Sequence, residues 1–136
     1  MSLFVRGSFV IVGLVNLYPL AGVLGADALQ ALYGRGLDDA ELLLLMRHRA
    51  VLFGLLGMLL VAAAWRASWR GPATFAGLAS MLAFVWLAGD PRLLSPALAR
   101  VYVADLAASA WLVAAWLVGA WHVAGRVGAG RGARRE

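Results

Sequence analysis

Four long apolar stretches dominate this sequence and leave it few possible folds. They run from Phe9 to Leu24, Leu42 to Trp65, Pro72 to Ala88 and Val101 to Ala124. A helix needs about 20 mostly apolar residues to cross a bilayer. Inside the bilayer only helices and closed barrels satisfy their own backbone hydrogen bonds. The composition agrees: 63% of residues are hydrophobic and 14% charged, against roughly 45–50% and about 25% in soluble domains. The expectation is an all-α fold, an integral membrane up-down four-helix bundle. It forms one domain over residues 1–125, followed by a Gly/Arg-rich, disordered cytoplasmic tail over 126–136.

The ends of the spans carry ordinary stop and start signals. "LDDAE", Leu37 to Glu41, supplies an N-cap aspartate, assigned to Asp38, and first-turn acids for the second span. Pro72 suits the first turn of the third, where its missing N–H is no loss. Gly89-Asp90-Pro91 stops that helix. The arginines set the orientation. With four spans, Arg6, Arg66, Arg70, Arg126, Arg131, Arg134 and Arg135 fall on one side. Arg35, Arg92 and Arg100 fall on the other, among Asp27, Asp38, Asp39, Glu41 and Asp90. Both termini are therefore expected in the cytoplasm. Trp65, Trp69 and Trp121 would lie near the cytoplasmic interface. Arg6, the first apolar stretch and "ADA" at 26–28 also resemble a cleavable signal peptide. Asn16 and Pro19 interrupt that stretch, so the span is expected to be retained.

Polar residues inside the spans are the candidates for function, because an unpaired charge there costs several kcal/mol. The second span contains Arg47, His48 and Arg49, and the fourth contains Tyr102 and Asp105. Asn16 and Tyr18 lie near the outer end of the first. At about 1.5 Å per residue, all of these fall in the outer half of the bundle. The expectation is one polar cluster of Asn16, Tyr18, Arg47, His48, Arg49, Tyr102 and Asp105, with one arginine paired to Asp105. Successive helix positions turn by about 100°, so Arg47, His48 and Arg49 cannot all face inward. One arginine and His48 are assigned inward, and the other arginine snorkels. The cluster reads either as a structural ion pair fixing helix register, as a site for an amphipathic ligand, or as a proton or ion path. Gly54, Gly57, Gly77, Ser80, Ala104, Ala107, Ala108 and Ala115 are small residues that permit close helix approach. Trp111 and Trp116 are read as packing or lipid contacts.

Several chemistries have no support. There is no cysteine, which removes disulfides and thiolate metal sites. No P-loop, G-x-S-x-G, H-E-x-x-H or dinucleotide fingerprint occurs, so no catalytic residue, metal site or cofactor is assigned. His48 and His122 fall near opposite ends of their spans and do not suit one haem iron. The net charge of +5 is carried by arginines beside apolar spans, a pattern of membrane orientation rather than of nucleic-acid binding.

"NLYPLAGVL", "ALYGRGL", "LLLLMRHRAVLFGLLG" and "RVYVADLAASAWL" together resemble a family of small bacterial four-span membrane proteins. The M-R-H-R-A-V-L-F-G run is the most specific part. That family is distantly similar to DoxX-like four-helix membrane proteins, some of which are oxidoreductase accessory subunits. Its members are often labelled phosphopantetheine adenylyltransferase. The adenylyltransferase itself has a soluble α/β fold and a two-histidine nucleotide motif, and this chain has neither pattern. The resemblance implies a bacterial inner-membrane location. Arg47, His48, Arg49 and Asp105 are the positions carried over from it. The resulting expectation is a non-enzymatic inner-membrane protein binding a lipid, quinone or partner helix at the outer-leaflet cluster, as in an accessory subunit. A small proton-coupled transporter is the rival, although the first-span glutamate of small multidrug exporters is missing.

Overall fold

The computed structural model describes residues 3–34 and 39–132, the last eleven of these as backbone only. Every regular element among them is helical. Helix α1 (Leu3–Leu17) continues as a 3-10 segment over Tyr18–Leu24. Pro19 causes the change, since it has no N–H to give to the carbonyl of Val15. A short helix α2 (Ala26–Tyr33) follows, ended by Gly34 at φ 71°, where the left-handed backbone suits glycine. Helices α3 (Ala40–Trp65), α4 (Arg70–Ala88) and α5 (Pro96–Gly132) complete the chain.

Four segments are long and apolar enough to cross a membrane: Leu3–Leu24, Ala40–Trp65, Ala67–Ala88 and Pro96–Trp121. These match the four sequence spans and extend all four at their N-terminal ends. Helix α2 was not expected. The cap of α3 is Asp39, whose Oδ1 accepts from the N–H groups of Glu41 at 2.8 Å and Leu42 at 3.2 Å. Asp38, to which the cap was assigned, lies outside the described residues. Backbone helix also continues through 126–132, where a disordered tail was expected. Extending a formed helix adds one hydrogen bond per residue fixed, although Gly128, Gly130 and Gly132 disfavour it by propensity. Residues 133–136 lie outside the described part.

The four long helices form a ring in chain order. Helix α1 packs against α3, α3 against α4, α4 against α5, and α5 back against α1. The core combines a few large side chains with many small ones: Phe9, Leu60, Met81 and Leu112 among Ala63, Ala64, Ala73 and Ala108. Backbones meet where α1 crosses α3. A Cβ on Gly57 would stand 2.8 Å from the carbonyl oxygen of Gly13, and one on Gly13 would stand 3.0 Å from that of Gly57. Large apolar side chains point outward instead, including Leu44, Leu55, Phe75, Trp86, Val103 and Leu117. Only 33%, 22%, 22% and 28% of the most apolar window of each span is buried. Monomeric soluble proteins rarely expose apolar patches above a few hundred Å². Small residues inside and large apolar ones outside is the arrangement of helices packed in lipid.

The small-residue reading holds in part. Gly54, Gly57, Gly77, Ala108 and Ala115 are buried, whereas Ala104 and Ala107 are exposed and Ser80 is half-buried. Gly13, the partner of Gly57, was not singled out. Trp111 and Trp116 are both 47% exposed, and Trp111 stacks obliquely on Phe4 at 5.9 Å.

Candidate functional site

One end of the bundle collects the end of the first span, α2, the start of α3 and the start of α5. A cavity of about 300 Å³ opens there. Asn16, Tyr18 and Pro19 form one wall, and Leu32 and Tyr33 of α2 another. Arg49 and Phe53 project from α3, and Arg100, Ala104 and Asp105 from α5. Its volume lies at the lower end of ordinary ligand sites, roughly 300–1,000 Å³.

Asp105 is the buried charge of this cavity. It is only 8% exposed, and its Oδ2 has no hydrogen-bond partner among the described residues. Asp105 lies nine residues into α5, about 14 Å along its axis. Arg49 lies about as deep in α3, ten residues past the Asp39 cap. The two line the same cavity, yet no salt bridge within 4.0 Å forms among the described residues. The expected Arg–Asp105 pair is therefore not made. The Arg49 guanidinium carbon instead sits 5.8, 5.1 and 5.5 Å from the ring centres of Tyr33, Phe53 and Phe84. Such cation–π contacts stabilise the charge without using its N–H donors.

The three consecutive polar residues of α3 take three environments, as a 100° step per residue requires. Arg49 turns to the cavity. Arg47 is exposed, and its Nε donates to the carbonyl of Val23 at 3.0 Å. That carbonyl belongs to the last turn of the first span, where no further helical N–H follows to bond it. Arg47 thus ties α3 to the first span and takes no part in the cavity. His48, expected inward, is exposed and lines no part of it. Tyr102 is half-buried and also outside the lining. Asn16 is buried and committed elsewhere too: its Nδ2 donates to the carbonyl of Val12 at 2.9 Å and faces Met81 Sδ at 3.9 Å. Of the seven expected residues, the cavity gathers Asn16, Tyr18, Arg49 and Asp105.

Tyr33, Phe53, Phe84 and Arg100 were missed. A signal for Tyr33 was present: Leu29 and Tyr33 stand four apart, on one face of a short helix between Gly25 and Gly34. Leu29 fills the core side of that face at 1% exposure. Burial raises the Tyr33 phenol above its ordinary pKa; Arg49 lowers it and Asp105 raises it by smaller amounts.

The opposite end is built from Arg6, Arg66, Arg70 and the tryptophans. Arg70 donates from Nε to the carbonyl of Ala63 and from a terminal nitrogen to that of Ala64, both at 3.1 Å. It thereby caps the last turn of α3. Arg66 lies 4.8 Å from the Trp69 ring. These residues make a structural, cationic rim at this end of the bundle. Among the described residues no group of three His, Cys, Asp or Glu is placed to hold a metal ion.

The chain matches no family model, no curated protein and no solved structure.

Proposed function

We propose that this chain is a multi-pass protein of the bacterial inner membrane, with both termini cytoplasmic, that holds an amphipathic ligand in the cavity around Asp105. It acts without catalysing a reaction, in the manner of an accessory subunit. The ligand is a lipid, a quinone or the polar end of a partner helix. The observation that carries this reading is Asp105 itself: a buried carboxylate oxygen with no partner among the described residues, lining a 300 Å³ cavity. Leaving such a group in a membrane span is costly, and a polar ligand head removes that cost. The arginine-rich rim at the opposite end supports the orientation, since cytoplasmic ends carry excess arginine.

Native mass spectrometry from mild detergent tests this. Wild-type protein should carry a bound amphiphile through release from the micelle. Ala104→Trp, which fills the cavity from its exposed wall, should abolish the adduct while leaving the bundle folded. A wild-type spectrum free of any adduct would overturn the reading.

A second reading is favoured by a specific feature. Ser109 Oγ and Thr74 Oγ1 are buried and, like Asp105 Oδ2, unpartnered among the described residues. Ser109 stands one turn beyond Asp105 on α5, and Thr74 lies in the first turns of α4, near the other end. Polar atoms at three depths suit a proton-coupled transporter. A pH-dependent flux in vesicles that vanishes in Asp105→Asn would favour it over ligand holding.

A further inference from the structure

The cavity shares a wall with a second space. Arg49 and Phe53 line both. Beyond them a groove of about 510 Å³ runs between α3 and α4, walled by Leu52, Leu56, Ala83, Phe84 and Leu87, with Ser80 its one hydroxyl. From Arg49 to Leu56 this wall extends about 10 Å further into the bundle. Two side chains, Arg49 and Phe53, therefore separate a polar cavity from an apolar groove that begins at the same depth and leads deeper.

The charges in the cavity are of both signs. Arg49 and Arg100 bring two guanidiniums, and Asp105 brings one carboxylate on a residue only 8% exposed. Arg49 sits against aromatic rings and makes no hydrogen bond among the described residues, so its N–H groups can serve an acceptor in the cavity. A wholly anionic head would answer the arginines but stand against Asp105. A wholly cationic head would answer Asp105 and stand against the arginines. A neutral head answers neither charge fully, and a buried charge without an opposite partner is strongly unfavourable.

We propose that the cavity and the groove are two halves of one site for a zwitterionic aminophospholipid: its ammonium on Asp105, its phosphate oxygens on Arg49 and Arg100, and an acyl tail along the groove between α3 and α4. This rests on the ligand-holding reading above and names the ligand class. Arg49 is the hinge of recognition, because it touches the head on one side and borders the tail on the other. Arg100, exposed five residues before Asp105, stands at the mouth, where the phosphate enters.

The experiment compares phosphatidylethanolamine, phosphatidylglycerol and diacylglycerol of identical chains, added to delipidated wild-type protein in mild detergent. Thermal shift and native mass spectrometry are the two readouts. Phosphatidylethanolamine should give the largest rise in Tm and the most retained adduct. In Asp105→Asn its preference over phosphatidylglycerol should fall by about tenfold, the size of one charge-assisted hydrogen bond. Ala83→Trp, which obstructs the groove, should weaken both phospholipids equally and leave their ratio unchanged. The wild-type ranking stands as a test even where a variant fails to fold. Phosphatidylglycerol binding as well as or better than phosphatidylethanolamine would overturn the proposal, as would an unchanged ratio in Asp105→Asn. Retention of a quinone or diacylglycerol in place of either phospholipid overturns the zwitterionic head and leaves ligand holding intact. Loss of every amphiphile overturns both.

Discussion

Asp105 and the three residues Arg47, His48 and Arg49 show how much one step of helix rotation decides. Arg47 spends its charge on the carbonyl of Val23, and Arg49 on three aromatic rings. Neither neutralises Asp105. In delipidated protein, Asp105→Asn should therefore raise stability, by roughly 1–3 kcal/mol, because it removes a buried unpaired charge and keeps a polar group of the same shape. Thermal unfolding in detergent reads this; a fall in Tm would mean that Asp105 has a partner. Arg47→Gln should cost about 1 kcal/mol through the lost bond to Val23. Combined with Asp105→Asn, its effect should be additive within about 0.5 kcal/mol, since the two residues share no partner. Tyr33 gives a pH prediction. Its phenol holds its proton more tightly folded than unfolded. Its contribution is therefore complete below the ordinary tyrosine pKa near 10 and is lost as pH rises through the raised folded value. Unfolding followed from pH 9 to 11 should show this loss in wild type and a smaller one in Tyr33→Phe.

At the scale of the helices, the contact between α1 and α3 depends on two glycines. A Cβ on Gly57 would lie 2.8 Å from a backbone oxygen and 2.9 Å from the backbone nitrogen of Leu17. Backbone cannot swing aside as a side chain does. Gly57→Ala should cost about 1–3 kcal/mol, the usual penalty of overpacking, and should reduce the folded fraction in detergent. Gly71→Ala is the control: nothing lies within 4 Å of a Cβ there, so the better helix propensity of alanine should leave stability equal or up to about 1 kcal/mol higher. Gly54 and Gly57 were recognisable as small residues in a span. Their partner Gly13 was not, because a glycine's importance depends on which backbone crosses it. Helix α2 escaped notice for a related reason. Eight residues are too few for periodicity to stand out, and a helix that short is held by packing, here through Leu29, more than by its own propensity.

For the whole molecule, the exposed large apolar side chains and the four long apolar helices are compatible with a lipid bilayer as solvent. The proposed side of each end rests on the arginine distribution and is open to a direct test. A reporter active only in the periplasm should be silent after Glu136 and active after Gly89. The reverse pattern would invert the orientation and place the cavity around Asp105 in the cytoplasmic half. Such an inversion would leave the bundle's internal packing unchanged, because the helices contact one another in the same way in either orientation.

Sequence alone determined the number of long helices and their approximate limits, because hydrophobic length is a property of each segment and needs no partner. It also determined that Arg47, His48 and Arg49 must diverge, because the helical repeat is local. Asn16, Tyr18, Arg49 and Asp105 could be placed in one cluster from depth along each span. The tertiary structure decided the rest. Which arginine turned inward depended on the rotation of α3 against all its neighbours, the close approach of Gly13 and Gly57 among them. The aromatic cage around Arg49 draws on Tyr33, Phe53 and Phe84, three residues on three helices. Whether Asp105 met a cation was a matter of a few ångströms between α3 and α5. Such a distance is fixed only when every helix has found its place in the ring.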